Sequence, residues 1–277
     1  MMSNQHVDEH YGYGQLLASI RAGLESLGKT PQTATIEDLA PADEFHIGGR
    51  QASVDVLDQM TLEPHDHILD VGSGLGGTAR FIASHYGCRV TGIDLTAEFV
   101  EAGRTLCDWV DLADRVDLHQ GDALAMPFAE ASFDAATMLH VGMNIPDKSG
   151  LFNQVSHILK PGAFFGIYDI MKTSDEDLDY PLPWASDPTT NALGTVDQYR
   201  QFLAEAGFEI IASRDRRTFA VEFFAEARRK VAQREGSPPL GVHVAMGSDA
   251  PDKIRHMVDG LESGLISPVE IIARQLA

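Results

Sequence analysis

Apolar residues along the chain fall into short runs and into stripes at helical spacing, and the two alternate. Ile68, Leu69 and Val71 make a run suited to a buried parallel strand, and the glycines after it force a tight turn before the next periodic segment. Thr78 to Tyr86 then reads as a helix and residues 89–94 as a second strand. Phe99, Val100, Gly103, Leu106, Cys107 and Val110 form the apolar face of a helix that Thr96 can cap. Val116 and Leu118 mark a third strand, Phe133 through Leu139 a fourth, and AFFGIYDI a fifth. A helix carrying Leu151, Phe152, Val155, Ile158 and Leu159 and a KPG turn lead into the fifth. Five alternations of strand and helix predict an α/β fold, a doubly wound, mostly parallel sheet with right-handed crossovers.

Outside this core the pattern changes. Leu16, Leu17, Ile20, Leu24 and Leu27 predict a helix over about 12–27 that stops at Gly28. A turn at Pro41 leads to a second helix through Val54, Leu57 and Met60, so residues 1–61 read as a helical N-terminal lid segment and 62–277 as the core. Beyond Lys172, TSDEDLDYPLPWASDP is too irregular for core, which marks an insertion at about 172–195; a second falls at about 215–265. Thr195 and Gln198 form a capping box for a helix through Tyr199, Phe202 and Leu203. Residues 208–213 read as the sixth strand and PVEIIARQ as the final one. Within the second insertion an amphipathic helix over 219–234 is expected to bury Phe223, Phe224, Ala227 and Val231, and a further helix runs over about 254–261.

Charge narrows the partners. With 21 Lys+Arg against 41 Asp+Glu the formal net charge is −20, which repels a polyanionic backbone and disfavours nucleic acid. Cys88 and Cys107 have no metal-ligand or disulfide-framework spacing and read as reduced core thiols. The N-terminus lacks an apolar signal core and no run of eighteen apolar residues occurs, so a soluble, cytoplasmic protein without a membrane partner is expected.

The candidate chemistry begins at HILDVGSGLGG. Gly72, Gly74 and Gly76 let backbone approach a bound group, beside the unpaired N–H groups of the next helix. Alone, this turn also fits an ordinary helix start. Asp94, twenty-two residues after Gly72 at the end of the second strand, can accept from both hydroxyls of a ribose. Asp122, after the third strand, either accepts from an adenine amine or bonds its own backbone.

In order, LDVGSGLGG, VTGIDL, QGDALAMPF, SFDAATMLHV and LKPGAFFGIYD resemble the class I S-adenosylmethionine-dependent methyltransferases, over about Leu62 to Phe208. The whole chain, with DEFHIGGR and the closing half, is similar to the small-molecule branch containing sarcosine/dimethylglycine N-methyltransferases and ubiquinone C-methyltransferases. The resemblance implies a Rossmann-like methyltransferase fold, a seven-stranded sheet with an antiparallel last strand, and S-adenosylmethionine as cofactor. It places Gly72, Ser73 and Gly74 at the methionine part, Asp94 at the ribose, Leu95 at the adenine face, Asp122 and Ala123 at the adenine edge, and His140 beside the sulfonium. Ser73 stands where many relatives carry cysteine, and KPGA replaces KPGG.

The implied reaction is methyl transfer to a small-molecule acceptor by in-line displacement. An amine such as a glycine derivative is favoured, with oxygen or carbon as alternatives. A positioned base is optional for an amine; His140 is the candidate by position, with His46 and His243 behind it. No i, i+4 pair joins the three histidines, and no metal is expected. Tyr11, Tyr13, Phe45, Trp184 and the PPLGVHVAMG segment with His243 lie outside the shared core and are candidates for acceptor binding, as a cage for a cationic amine or as plain hydrophobic cover. The insertions either cover the active site or form the contact of a homodimer. Two readings compete. An NAD(P)-dependent oxidoreductase of Rossmann type shares the glycine turn but has no reason for GDA, SFD and KPG. A non-catalytic S-adenosylmethionine-binding protein would be marked by a damaged turn or a missing Asp94, and neither is damaged.

Overall fold

The computed structural model describes residues 15–233, 238–247 and 249–276. Tyr11 and Tyr13 lie outside the described residues. Seven strands form one sheet: β1 (His67–Val71), β2 (Arg89–Asp94), β3 (Val116–Gln120), β4 (Phe133–Leu139), β5 (Leu159–Lys172), β6 (Phe208–Asp215) and β7 (Ile266–Gln275). Their order is β3-β2-β1-β4-β5-β7-β6. β1 pairs in parallel on both sides, Ile68 with Val90 of β2 and with Ala135 of β4. A strand covered on both faces needs apolar residues at successive positions, which is why its sequence is a run and not an alternation. β7 runs antiparallel between β5 and β6.

Ten helices are described: α1 (Leu16–Ser26), α2 (Ile36–Asp43), α3 (Arg50–Leu57), α4 (Gly77–Tyr86), α5 (Ala97–Trp109), α6 (Lys148–Ile158), α7 (Val196–Glu205), α8 (Arg217–Ala232), α9 (His243–Met246) and α10 (Ala250–Ser263). Adjacent residues of a strand serve opposite faces. Leu69 and Val71 pack with Leu151, Phe152 and Leu203 of α6 and α7. Ile68 joins Val56, Ile82 and Cys107 of α3, α4 and α5 on the other face. Leu16, Ile20 and Leu24 of α1 pack with Leu39, Leu75, Phe99 and Leu106, which seats the N-terminal helices over α5 and the turn after β1.

Four local expectations need correction. Pro41 lies inside α2 instead of making a turn, because Thr35 and Asp38 form a capping box that starts the helix at Ile36. At that position proline forfeits only one intrahelical bond before the helix ends at Asp43. Thr96 occupies the position before α5 but makes no side-chain cap. The first insertion contributes to the core: Leu182 and Trp184 are buried with Ile47, Ile170 and Ile266. On α8 only Ala220 is buried, while Phe223 and Val231 remain 39% and 54% exposed. The apolar face of α8 looks into a cavity rather than onto the sheet.

Candidate active site

Between β1 and β4 the strand order reverses direction, and the connections leaving their carboxyl ends part to open a crevice. There a cavity of about 1680 Å³ is lined by Gly72, Ser73, Gly74, Asp94, Leu95, Asp122, Ala123 and His140 together with Phe45, His46, Trp184 and His243. These candidates therefore face one space, whereas Gly76 is not on the cavity wall and its Cβ direction points at Leu118 and Arg80.

The glycines of the turn differ in purpose. Gly72 has φ +67°, and a Cβ there would stand 2.3 Å from Val141, so its missing side chain makes room for the loop after β4. Gly74 has φ +53°, and its Cβ direction meets only the ring of Phe45, at 3.7 Å. Of these two, Gly74 leaves its backbone accessible. Its N–H donates to Asp94 Oδ2 at 2.8 Å, and Thr96 N–H donates to Asp94 Oδ1 at 2.9 Å. Asp94 thus ties the end of β2 to the turn after β1 and begins α5 in place of the Thr96 hydroxyl. Asp122 Oδ1 accepts from Leu124 N–H at 2.9 Å, the local turn geometry, while the residue still faces the cavity.

Asp70 also lines the cavity and was not singled out from the sequence. Its Oδ1 accepts from the Thr137 hydroxyl at 2.9 Å. Asp70 Oδ2 and Ser73 Oγ are shut off from solvent and have no partner among the described residues. Burial raises the Asp70 carboxyl to about 7. One charge inside an otherwise apolar parallel strand, two residues before the glycine turn, was the available signal.

His140 leaves β4 with φ +56° and is held there by its own N–H, which donates to Tyr168 O at 2.6 Å. A non-glycine residue in that region costs about 1–3 kcal/mol and persists only where the surroundings fix it. Its ring tilts over Tyr168 with centroids 5.0 Å apart and meets His46 edge-on at 6.1 Å. Its Nε2 has no partner among the described residues. Burial, and then His46, hold the His140 pKa well below the usual 6.5, so the ring is neutral. Burial pulls His46 down to about 4. Its Nε2 lies 3.0 Å from Gly49 O, which can only accept, so that nitrogen carries the proton. Ser53 Oγ stands 3.0 Å from the same nitrogen and donates to Glu44 Oε2 at 3.1 Å.

Beneath the loop after β4 lies a second buried polar group. Tyr199 OH donates to Asp169 Oδ2, and Met143 N–H donates to the same carboxylate, whose pKa burial raises to about 6. Lys148 Nζ donates to Ile145 O at 3.0 Å. These bonds fix the loop whose other side, through Val141, Met143 and Ile145, lines the cavity. Farther out, Trp184 donates its indole N–H to Asn191 Oδ1 at 3.0 Å, and His243 sits exposed on the short α9.

Residues 68–162 match the family described as methyltransferase domain. The chain is 27% identical over 172 residues to an O-methyltransferase of Pyrenophora dematioidea, covering 62% of this chain and 64% of that one. It is 25% identical over 206 residues to a sarcosine/dimethylglycine N-methyltransferase of Halorhodospira halochloris, covering 74% of each. Across four of the curated relatives, sterol 24-C-methyltransferases among them, the chain spans from 31% to 64% of the relative's own length. The solved geranyl diphosphate C-methyltransferase from Streptomyces coelicolor superposes with a TM-score of 0.71 at 16% identity, covering 100% of this chain and 99% of that one, a likeness of fold. The glycine turn, the acidic end of β2, the strand order with its antiparallel β7 and these matches agree on a methyltransferase domain over residues 68–162, in a fold of the class I, S-adenosylmethionine-dependent kind.

Proposed function

We propose that the chain transfers a methyl group from S-adenosylmethionine to a small-molecule acceptor. The observation that carries the proposal is the meeting, on one cavity wall, of Asp70 and the glycine turn from β1, Asp94 from β2, Asp122 from the loop after β3 and His140 from β4. The donor set fits the cofactor. Asp70 Oδ2 and Ser73 Oγ, both buried and without partners among the described residues, offer an acceptor for an ammonium and a donor for a carboxylate. Gly72, Ser73 and Gly74 would hold the methionine part, Asp94 the ribose, Leu95 the adenine face, and Asp122 with Ala123 the adenine edge. A carboxylate has about four lone-pair sites, so Asp94 can serve the turn and a diol together.

When bound, the cofactor supplies an electrophilic methyl on a sulfonium, open to in-line attack. The chain's own task is to hold an acceptor in line and exclude water. Where the acceptor carries an O–H, the neutral His140 is a group on the cavity wall that can take its proton, a contribution of typically about 10²–10⁴-fold. His46, whose Nε2 proton is engaged, keeps that wall neutral and His140 in place. Phe45 closes over Gly74, and of the N-terminal segment the described residues 15–61 act as a lid. Buried, unpaired Cys88 and Cys107 suit a reducing cytoplasmic setting. Among the described residues no helix is long and apolar enough to cross a membrane.

Dinucleotide-dependent oxidation is not favoured, since the family match runs from β1 through β4 into the start of β5. Calorimetric titration with S-adenosylmethionine, S-adenosylhomocysteine and NAD in parallel tests the reading. Binding of both sulfur cofactors and silence from NAD is expected. Binding of NAD alone would overturn it.

A further inference from the structure

The cavity has room beside the cofactor for an acceptor much larger than a glycine derivative. A pocket for one drug-sized ligand holds roughly 300–1,000 Å³, and this one holds about 1680 Å³. Besides His46 and His140, its wall includes a chamber-forming set of apolar residues, Leu27, Phe223, Phe224, Val231, Leu240 and Val258. Among the described residues five large hydrophobic side chains are exposed, and three of them, Leu27, Phe223 and Val231, line this chamber. Phe223 and Phe224 stand edge to face at 5.3 Å, an ordered aromatic corner. Such apolar surface, gathered on one concavity and continuous with a reaction site, marks a place that an apolar molecule covers.

Charge on the same wall selects further. The three arginines that line the cavity are each ion-paired: Arg50 with Glu44, Arg228 with Glu262 at 2.6 Å, and Arg255 with Asp252 at 2.9 Å. Seven carboxylates line the same cavity, Asp94, Asp122 and Asp259 among them, so an anionic acceptor meets a negative wall. The nearest ionisable rings, His46 and His140, are neutral. We infer that the acceptor is a bulky, largely apolar small molecule with no anionic group, carrying one nucleophilic atom to His140 while its body lies against the apolar residues of α8 and α10. This rests on the methyltransferase reading and departs from the glycine-type acceptor expected from the sequence.

The test uses the full chain saturated with S-adenosylhomocysteine and the neutral apolar fluorophore N-phenyl-1-naphthylamine. Saturable fluorescence enhancement is expected. Val231→Asp and Phe223→Asp should each weaken it by about tenfold or more, since each replaces apolar wall with a carboxylate. Both positions are exposed, so the variants should fold, and S-adenosylhomocysteine affinity unchanged within about twofold verifies this. Millimolar dimethylglycine should not displace the fluorophore. S-adenosylhomocysteine binding without fluorophore binding overturns the acceptor assignment alone. So does equal binding by the Asp variants, or labelled methyl transfer to dimethylglycine that Val231→Asp leaves unaltered. Absence of S-adenosylhomocysteine binding overturns the function beneath it.

Discussion

Gly72 cannot carry a side chain, because its φ of +67° and the 2.3 Å approach of Val141 act together. Gly72→Ala should lower stability by about 2–5 kcal/mol, part strain and part overlap. Adding Val141→Ala should restore the overlap share only, and thermal unfolding of the double variant measures it; no recovery would assign the whole cost to backbone strain. Asp70 makes a different prediction. Its carboxyl sits at about 7 against an ordinary 3.8, so the folded state keeps a proton that the unfolded chain has released. That contribution to stability is present below pH 3.8 and is lost as pH rises through 7. Asp70→Asn should therefore unfold at a higher temperature than the parent at pH 8, by a margin that shrinks toward pH 5, and should bind S-adenosylmethionine more weakly. Asp94→Ala removes a charged acceptor worth about 1.5–3 kcal/mol, and a loss of about 10- to 100-fold in cofactor affinity by calorimetry is expected. With His140 held neutral well below 6.5, kcat at saturating S-adenosylmethionine, measured in the Asp70→Asn variant so that Asp70 does not titrate, should not decline as pH falls through 6.5. A decline there would show an ordinary solvated histidine. His140→Ala should lower turnover more than cofactor affinity, and equal loss of both would mean that it only binds.

Among the elements, those with their own local signals were legible and those shaped by an empty concavity were not. The Thr195–Gln198 capping box opens α7 as its residues indicate, with both reciprocal bonds made. The β strands follow their apolar runs, since a strand buried on both faces leaves little choice of register. The motif residues converge on the crevice because each lies at a strand end, a position that spacing alone reveals. Reading failed at α8, where an apolar stripe was equated with burial against protein. Phe223 and Val231 obey the helical period but face space, and periodicity does not distinguish a core from a ligand chamber. It failed at Asp70 because the glycines beside it explain the turn without it. The loop after β4 is held from below by Asp169 and Tyr199, more than ninety residues from the glycine turn it faces, and no local pattern announces such a pairing. Tyr199→Phe leaves a buried carboxylate short of a donor and should cost about 1–3 kcal/mol in denaturant unfolding. A cost within error would mean that Met143 N–H and Lys148 satisfy Asp169 by themselves.

For the molecule as a whole, the large cavity makes stability depend on what fills it. S-adenosylhomocysteine at 100 times its Kd should stabilise the folded state by about 2.7 kcal/mol, a rise of several degrees in Tm, since about 2–4 °C accompanies each kcal/mol at about 150–250 residues. NAD should leave Tm where it was. The net charge of −20 sets solubility and repels polyanions without choosing an acceptor; that choice belongs to the chamber wall. The sheet order carries one more consequence. β7 lies between β5 and β6, and β6 has no other strand neighbour. On a ribosome adding about 5–20 residues per second, β6 emerges while β7, some fifty residues behind it, is still unmade. For several seconds the nascent chain holds a finished nucleotide-binding half beside a strand with both edges open. Those edges are a natural place for a chaperone to hold, and a chain stalled before Ile266 should be captured, or aggregate, through them.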